Sequence, residues 1–196
     1  PAVHNNLGSL YEKSKKQKKA VEEYNKAIQL KPDYAIAHFN LGIIYAKEKQ
    51  YHQAISEWRK VVELDSKDAY AHAALGWVYL KQNDKKNAQK EYDLALQFNP
   101  SDAVTLNEMG KIHLEDGRIK EAVESFEKAI NLKQEYAEAY YNLGVAYDAT
   151  HSGKKAITNT LIAQKIYQIK KDQALLDSAQ NNLNSYYDKY RLSPNE

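Results

Sequence analysis

Cysteine is absent from this chain of 196 residues, and with it go disulfides, thiolate zinc sites and cysteine nucleophiles. The redox compartment is left open. Arginine is nearly as scarce. Only Arg59, Arg118 and Arg191 stand among 28 basic residues, whereas recognition of bases and phosphates leans on the bidentate guanidinium fork. Acidic residues number 26, so the formal charge is +2 and no net field draws the chain to nucleic acid or an anionic membrane. Long apolar runs are missing too. Stretches such as Ile43-Ile44-Tyr45-Ala46 fall far short of the roughly 20 residues that span a bilayer. Neither a nucleic-acid partner nor membrane insertion is expected. Nucleotide loops, HExxH and GxSxG are also absent, and no segment assembles an acid, a base and a pocket. No cofactor, no metal and no catalytic residue are expected; the chain reads as a non-enzyme.

Proline and glycine are few, at four and seven, but they are ordered. Gly8, Gly42, Gly76, Gly110 and Gly144 follow one another at steps of 34 residues, as do Ala20, Ala54, Ala88, Ala122 and Ala156. A fixed period of that length marks stacked units, each burying its apolar face on a neighbour. The windows are 1–34, 35–68, 69–102, 103–136 and 137–170. In the second, Phe39, Leu41, Ile44 and Tyr45 recur at helical spacing, and so do Ala54, Ile55, Trp58, Val61 and Val62. The polar Lys47-Glu48-Lys49-Gln50 between them is short enough to force an antiparallel hairpin. Pro32 and Pro100 close the first and third windows. Ser66-Lys67-Asp68 and Lys133-Gln134-Glu135 lack proline, and softer stops are predicted there. Glycine at the eighth place and alanine at the twentieth predict a close approach of two helix backbones. Tyr11, Tyr45, Tyr79 and Tyr147 with Tyr24, Trp58, Tyr92 and Phe126 fill the space around them.

The pattern Leu7-Gly8, Tyr11, Ala20, Tyr24, Ala27, Pro32 resembles the tetratricopeptide repeat and recurs through residue 170. Departures are few: Val61 for alanine, Met109 and His113 for leucine and tyrosine, Thr160 for an aromatic. The resemblance implies an all-α, right-handed solenoid of antiparallel helix hairpins. After Ala163 the register slips by six residues, and Ala179, Asn182, Leu183 and Tyr187 repeat a first-helix pattern. Residues 171–196 are therefore expected to be a capping helix and tail. Tyr186, Lys189, Tyr190 and Arg191 form its edge before Ser193-Pro194.

In such repeats the first helices line a concave groove with their second, fifth, sixth, ninth, twelfth and thirteenth places. Those places give Ile36, Phe39, Asn40, Ile43 and Lys47, then Tyr70, Trp77 and Lys81, an apolar and aromatic patch rimmed by charge. The alternative for Phe39 and Trp77 is to tilt into the core between repeats. Asn6, Asn40, Asn142 and Asn182 share the sixth place, which Ala74 and Glu108 interrupt, and an asparagine amide suits capture of an extended backbone. Asn107, Lys111 and Tyr141 complete the candidate groove. Lys13, Lys47 and Lys81, with Lys111 nearby, favour an acidic partner segment. Co-chaperones of this family hold a partner's C-terminus with a clamp of lysine, asparagine and arginine. Here only Asn40 matches it, so docking of chaperone tails is not expected.

His4, His38 and His72 also recur at 34 residues. Equivalent side chains on helices about 8–10 Å apart point in parallel, while zinc needs its ligands ~2 Å from one centre, so a packing role is predicted. The basic run Lys13, Lys15, Lys16, Lys18 and Lys19 falls on a hairpin turn and reads as a solvated loop. The expected function is a scaffold or adaptor that binds a peptide or helix segment of another protein in the groove. The alternative is an assembly subunit that docks by its convex face or end repeats, or associates with copies of itself. The chain starts at Pro1 already in register, from which lost upstream sequence is expected. A soluble, cytoplasmic setting is favoured, with a lost signal peptide left open.

Overall fold

Helix formers dominate between the turns, and each 34-residue window folds into two helices. A computed structural model describes residues 1–192; Ser193-Pro194 lies outside them. First helices are α1 (Ala2–Lys13), α3 (Ala35–Lys47), α5 (Ala69–Lys81), α7 (Ala103–Glu115) and α9 (Ala137–Ala149). Second helices are α2 (Gln17–Leu30), α4 (Tyr51–Leu64), α6 (Lys85–Phe98), α8 (Ile119–Leu132) and α10 (Gly153–Lys170). The last is α11 (Gln173–Tyr190), and no strand occurs among the described residues. No helix among them is long and apolar enough to cross a membrane.

The hairpin turns share one geometry. Lys15, Lys49, Asn83, Gly117 and His151 all take positive φ, between 55° and 74°. The next residue returns its N–H to the first helix, as in Lys16 to Tyr11, Gln50 to Tyr45 and Arg118 to His113. That is the Schellman closure, which normally favours glycine; here lysine, asparagine and histidine accept the left-handed conformation.

The second helices stop alike with or without proline, contrary to the softer stops predicted for 66–68 and 133–135. Lys31, Asp65, Asn99 and Lys133 all turn to extended φ between −150° and −134°. Each first returns its N–H to the carbonyl four residues back, at Ala27, Val61, Ala95 and Ala129. At the proline-free junction after α4 the Asp68 carboxylate also caps α5, accepting from the Ala71 N–H at 2.9 Å. Backbone closure, joined after α4 by the acidic cap, does the work expected of proline.

The chain forms two compact units, Pro1–Pro100 and a second beginning at Ser101. In the first, Leu41 and Ile44 of α3 pack on Ala20 and Tyr24 of α2, with Val21 and Ile28 alongside. In the second, Leu143 and Ala146 of α9 pack on Ala122 and Phe126 of α8 in the same arrangement, with Val123 and Ile130 beside them. Helix α10 has 18 residues where the other second helices have 14. Its Ala156 and Ile157 cluster with Leu183 and Tyr186 of α11.

The repeated glycines seat the rings that the sequence sets around them. A β-carbon on Gly8, Gly42, Gly76 or Gly110 would stand 2.5–2.6 Å from Tyr24, Trp58, Tyr92 or Phe126. Gly144 faces the Thr160 hydroxyl instead, where the fifth repeat has no aromatic.

Candidate functional site

Residues seven apart lie two turns along one helix face. On α5 that face carries Tyr70, Trp77 and, four further on, Lys81; on α3 it carries Ile36, Ile43 and Lys47, with Phe39 and Asn40 beside them. Between α3 and α5 is a cavity of about 250 Å³ lined by Ala35, Ile36, Phe39, Val61, Asp68 and Tyr70. Its mouth is apolar and open: Ile36 is 55% and Tyr70 68% exposed. Phe39 is half-buried and tilts toward Trp58, ring centroids 6.3 Å apart, so it floors the cavity without leaving for the core. The Asp68 carboxylate at the rim is already engaged in capping α5.

Trp77 forms a separate feature. Its exposed ring meets Tyr51 edge-on at 6.4 Å, and the Lys81 ammonium sits 5.2 Å from its centroid. Ile43 is half-buried between the two features. Lys47 is exposed but held by the Glu12 carboxylate at 2.6 Å, which engages its charge within the chain. Asn6 is exposed on α1.

In the second unit the candidate residues are engaged in polar contacts. Asn107 is fully buried; its amide lies 3.4 Å from Glu108 and 3.3 Å from Glu138, and its oxygen accepts from Asn142 at 3.0 Å. Lys111 reaches Glu108 at 2.9 Å and Glu138 at 3.5 Å. Burial acts to lower the pKa of that ammonium, but the Glu108 hydrogen bond and the two carboxylates raise it above the usual lysine range. The Tyr141 hydroxyl accepts from Asn182 of α11 at 3.0 Å. Asn107, Asn142, Lys111 and the two glutamates thus form a part-buried polar network, unlike the open apolar mouth in the first unit.

Two regularities escaped the sequence reading. The sixth-place asparagine is a rung to the first helix before it: Asn40 donates to Asn5 at 3.1 Å, Asn142 to Asn107, and Asn182, after the register slip, to Tyr141. Each recurrent histidine also faces a glutamate nineteen residues on. His4, His38 and His72 lie 2.6, 2.6 and 2.7 Å from Glu23, Glu57 and Glu91. The other ring nitrogen of His38 and His72 reaches the Pro32 and Ser66 carbonyls at 2.9 and 3.1 Å, tying the hairpin to the link behind it. The signal was present: where the fourth place turns to Leu106 and Tyr140, the twenty-third turns to Ser125 and Asn159. Among the described residues no three His, Cys, Asp or Glu side chains converge in a manner that could hold a metal.

The lysine run sits on the first turn, with Lys15 at positive φ and the Lys19 ammonium 5.7 Å from the Tyr11 ring. Its side chains are largely solvated.

Comparison with known proteins agrees with this architecture. A family model described as TPR repeat matches residues 8–49, 43–83 and 110–150, and one described as tetratricopeptide repeat matches 69–102. The chain belongs to the tetratricopeptide-repeat family, whose repeats are generally protein-interaction modules. No curated protein matches it. Among solved structures, a MamA protein is 23% identical with a TM-score of 0.72, over 87% of this chain and 93% of that one. YrrB, described as a TPR protein with an unusual peptide-binding site, is 24% identical with a TM-score of 0.70, over 91% and 90%. PilF of Pseudomonas aeruginosa is 18% identical with a TM-score of 0.73, over 97% and 96%. At such identities the likeness speaks to the fold, which is the all-α tetratricopeptide solenoid.

Proposed function

We propose that the chain is a non-catalytic scaffold or adaptor that binds a segment of a partner protein on the first-helix face of its N-terminal unit. The observation that carries this reading is the open cavity whose mouth exposes Ile36 and Tyr70. Apolar surface of this kind marks interaction sites, and aromatic side chains are frequent hot spots in them. Membership of an interaction-module family supports the reading, as does the peptide-binding site described for YrrB.

The spacing sets the ligand's pattern. Tyr70 and Trp77 are seven helical residues apart, about 10 Å, which an extended peptide covers in about three residues. Lys81 adds about 6 Å more along the helix. The favoured segment therefore has an apolar side chain for the cavity, a flat or aliphatic one against Trp77 three positions away, and a carboxylate near Lys81. Panning the purified chain against a random peptide library tests this. Enrichment of that pattern is expected, with at least tenfold weaker binding by Tyr70→Ala combined with Trp77→Ala while the melting temperature holds. Selected peptides that bind the double variant as well as the parent refute the reading.

A further inference from the structure

An acid at the twelfth place of one first helix can bridge to a lysine at the thirteenth place of the next. On α1 the Glu12 carboxylate accepts from the Lys47 ammonium of α3 at 2.6 Å and, with its other oxygen, from the buried Tyr24 hydroxyl at 3.2 Å. It is held on both sides and its side chain is only 21% exposed. The second unit repeats the bridge after the register slip: Asp148 of α9 takes the Lys189 ammonium of α11 at 2.8 Å and accepts from the Tyr190 hydroxyl as well.

Lys81 holds the thirteenth place on α5, but no such acid precedes it. Ala46 stands at the twelfth place of α3, and Trp58 stands where α2 has Tyr24, its one side-chain N–H spent on the Phe39 carbonyl at 3.1 Å. The Lys81 ammonium is exposed, lies against the Trp77 ring and makes no ion pair among the described residues. Lys47 and Lys81 share the candidate face, yet only Lys81 has a charge left to offer.

We propose that Glu12 is a specificity-determining residue: it occupies Lys47 in place of a partner's carboxylate, so that the face selects a segment with a single acidic residue, seated at Lys81. This inference rests on the peptide-binding reading given above. Two free ammonium groups on neighbouring helices, packed about 8–10 Å apart, would draw a doubly acidic segment. Glu12 prevents this in two ways. Its carboxylate is tethered and oriented by Tyr24, so it pairs with Lys47 without the loss of translational freedom that a partner's carboxylate undergoes. An acidic side chain brought to Lys47 also meets Glu12 as a like charge, which sets a repulsive element against the doubly acidic competitor.

The test pans the parent chain and Glu12→Gln against the same random peptide library; glutamine keeps an oxygen for Tyr24 and gives up the charge. Parent peptides are expected to carry one acidic residue and Glu12→Gln peptides two, the latter binding the variant about fivefold or more tighter than the parent. Adding Lys47→Gln to Glu12→Gln is expected to erase that gain. Glu22→Gln, which removes the same charge from an exposed position on α2, is expected to select no second acidic residue. Parent peptides with two acidic residues or none overturn the proposal, and so does an unchanged acidic count in Glu12→Gln. A gain that survives Lys47→Gln, or that Glu22→Gln matches, overturns it too, since the effect is then one of overall charge. Peptides indifferent to Tyr70→Ala with Trp77→Ala refute the binding face itself, and this proposal with it, so the two failures are read apart.

Discussion

The indole nitrogen of Trp58 lies 2.5 Å from where a β-carbon on Gly42 would stand, and it donates to the Phe39 carbonyl 3.1 Å away. The ring is thus pinned to the backbone of the helix it packs on. The same helix contributes Phe39 to the candidate cavity, so this hairpin contact also fixes the cavity floor.

Enlarging the glycine should therefore displace the ring. Gly42→Ala is expected to lower stability by about 1–3 kcal/mol, read as a fall in melting temperature. Trp58→Leu should make the glycine substitution cheaper, so the pair falls short of additivity in a double-mutant cycle. Full additivity would contradict the proposed clash.

The turns offer a converse test. Gly117 has φ of 74°, and a β-carbon added to it would find nothing within 4 Å, so a side chain there meets conformational strain alone. Gly117→Ala is expected to cost about 1 kcal/mol. Lys49 holds φ of 60°, and Lys49→Gly should gain up to about 1 kcal/mol, offset in part by chain entropy. Urea midpoints that shift in opposite directions confirm the sign.

The asparagine rungs should couple in pairs. A cycle of Asn5→Ala and Asn40→Ala is expected to show an interaction of about 0.5–1.5 kcal/mol. Asn107→Ala should cost more, about 1–3 kcal/mol, because it empties a fully buried position and strips a partner from Asn142 and from Glu138. Equal effects at Asn107 and at exposed Asn6 would refute the rung.

Alkali should weaken the fold through its tyrosines. Burial first, and the Glu12 carboxylate second, push Tyr24 up to about 12; burial and Glu127 do the same for Tyr147. The unfolded chain ionises near its ordinary value of 10.0, so the stability these groups contribute is complete below that pH and lost as pH rises toward 12. Urea melts between pH 9 and 12 should show this loss, smaller in Tyr24→Phe. At the acid end the His4 hydrogen bond, then Lys26, hold Glu23 below its ordinary range, so its contribution persists above that range and disappears as pH falls through the depressed value.

The helical plan was legible because the 34-residue step repeats small and aromatic residues whose shapes demand each other. Junctions without proline were misread because backbone closure at Asp65 and Lys133 leaves no residue signature. Ile36 and Tyr70 stood out as apolar residues at unpacked places, and both border the open cavity. Asn107 stood at another groove place, the fifth, but its neighbours Glu108 and Glu138 lie on two helices, a conjunction visible only in three dimensions. The histidine partners could have been found, since His and Glu at the fourth and twenty-third places appear and vanish together.

The extra length of α10 has a genetic consequence. Upstream of it, Ala37, Leu41 and Ile44 of α3 and the equally buried Ala71, Leu75 and Val78 of α5 stand 34 residues apart, so gaining or losing one copy by recombination there leaves that interface in phase. Beyond it, Ala139, Leu143 and Ala146 are answered by Ala179, Leu183 and Tyr186, a step of forty. A unit inserted after Gly153 on the old step would present the wrong side to its neighbour. The longer α10 therefore sets the point past which the 34-residue step no longer fits.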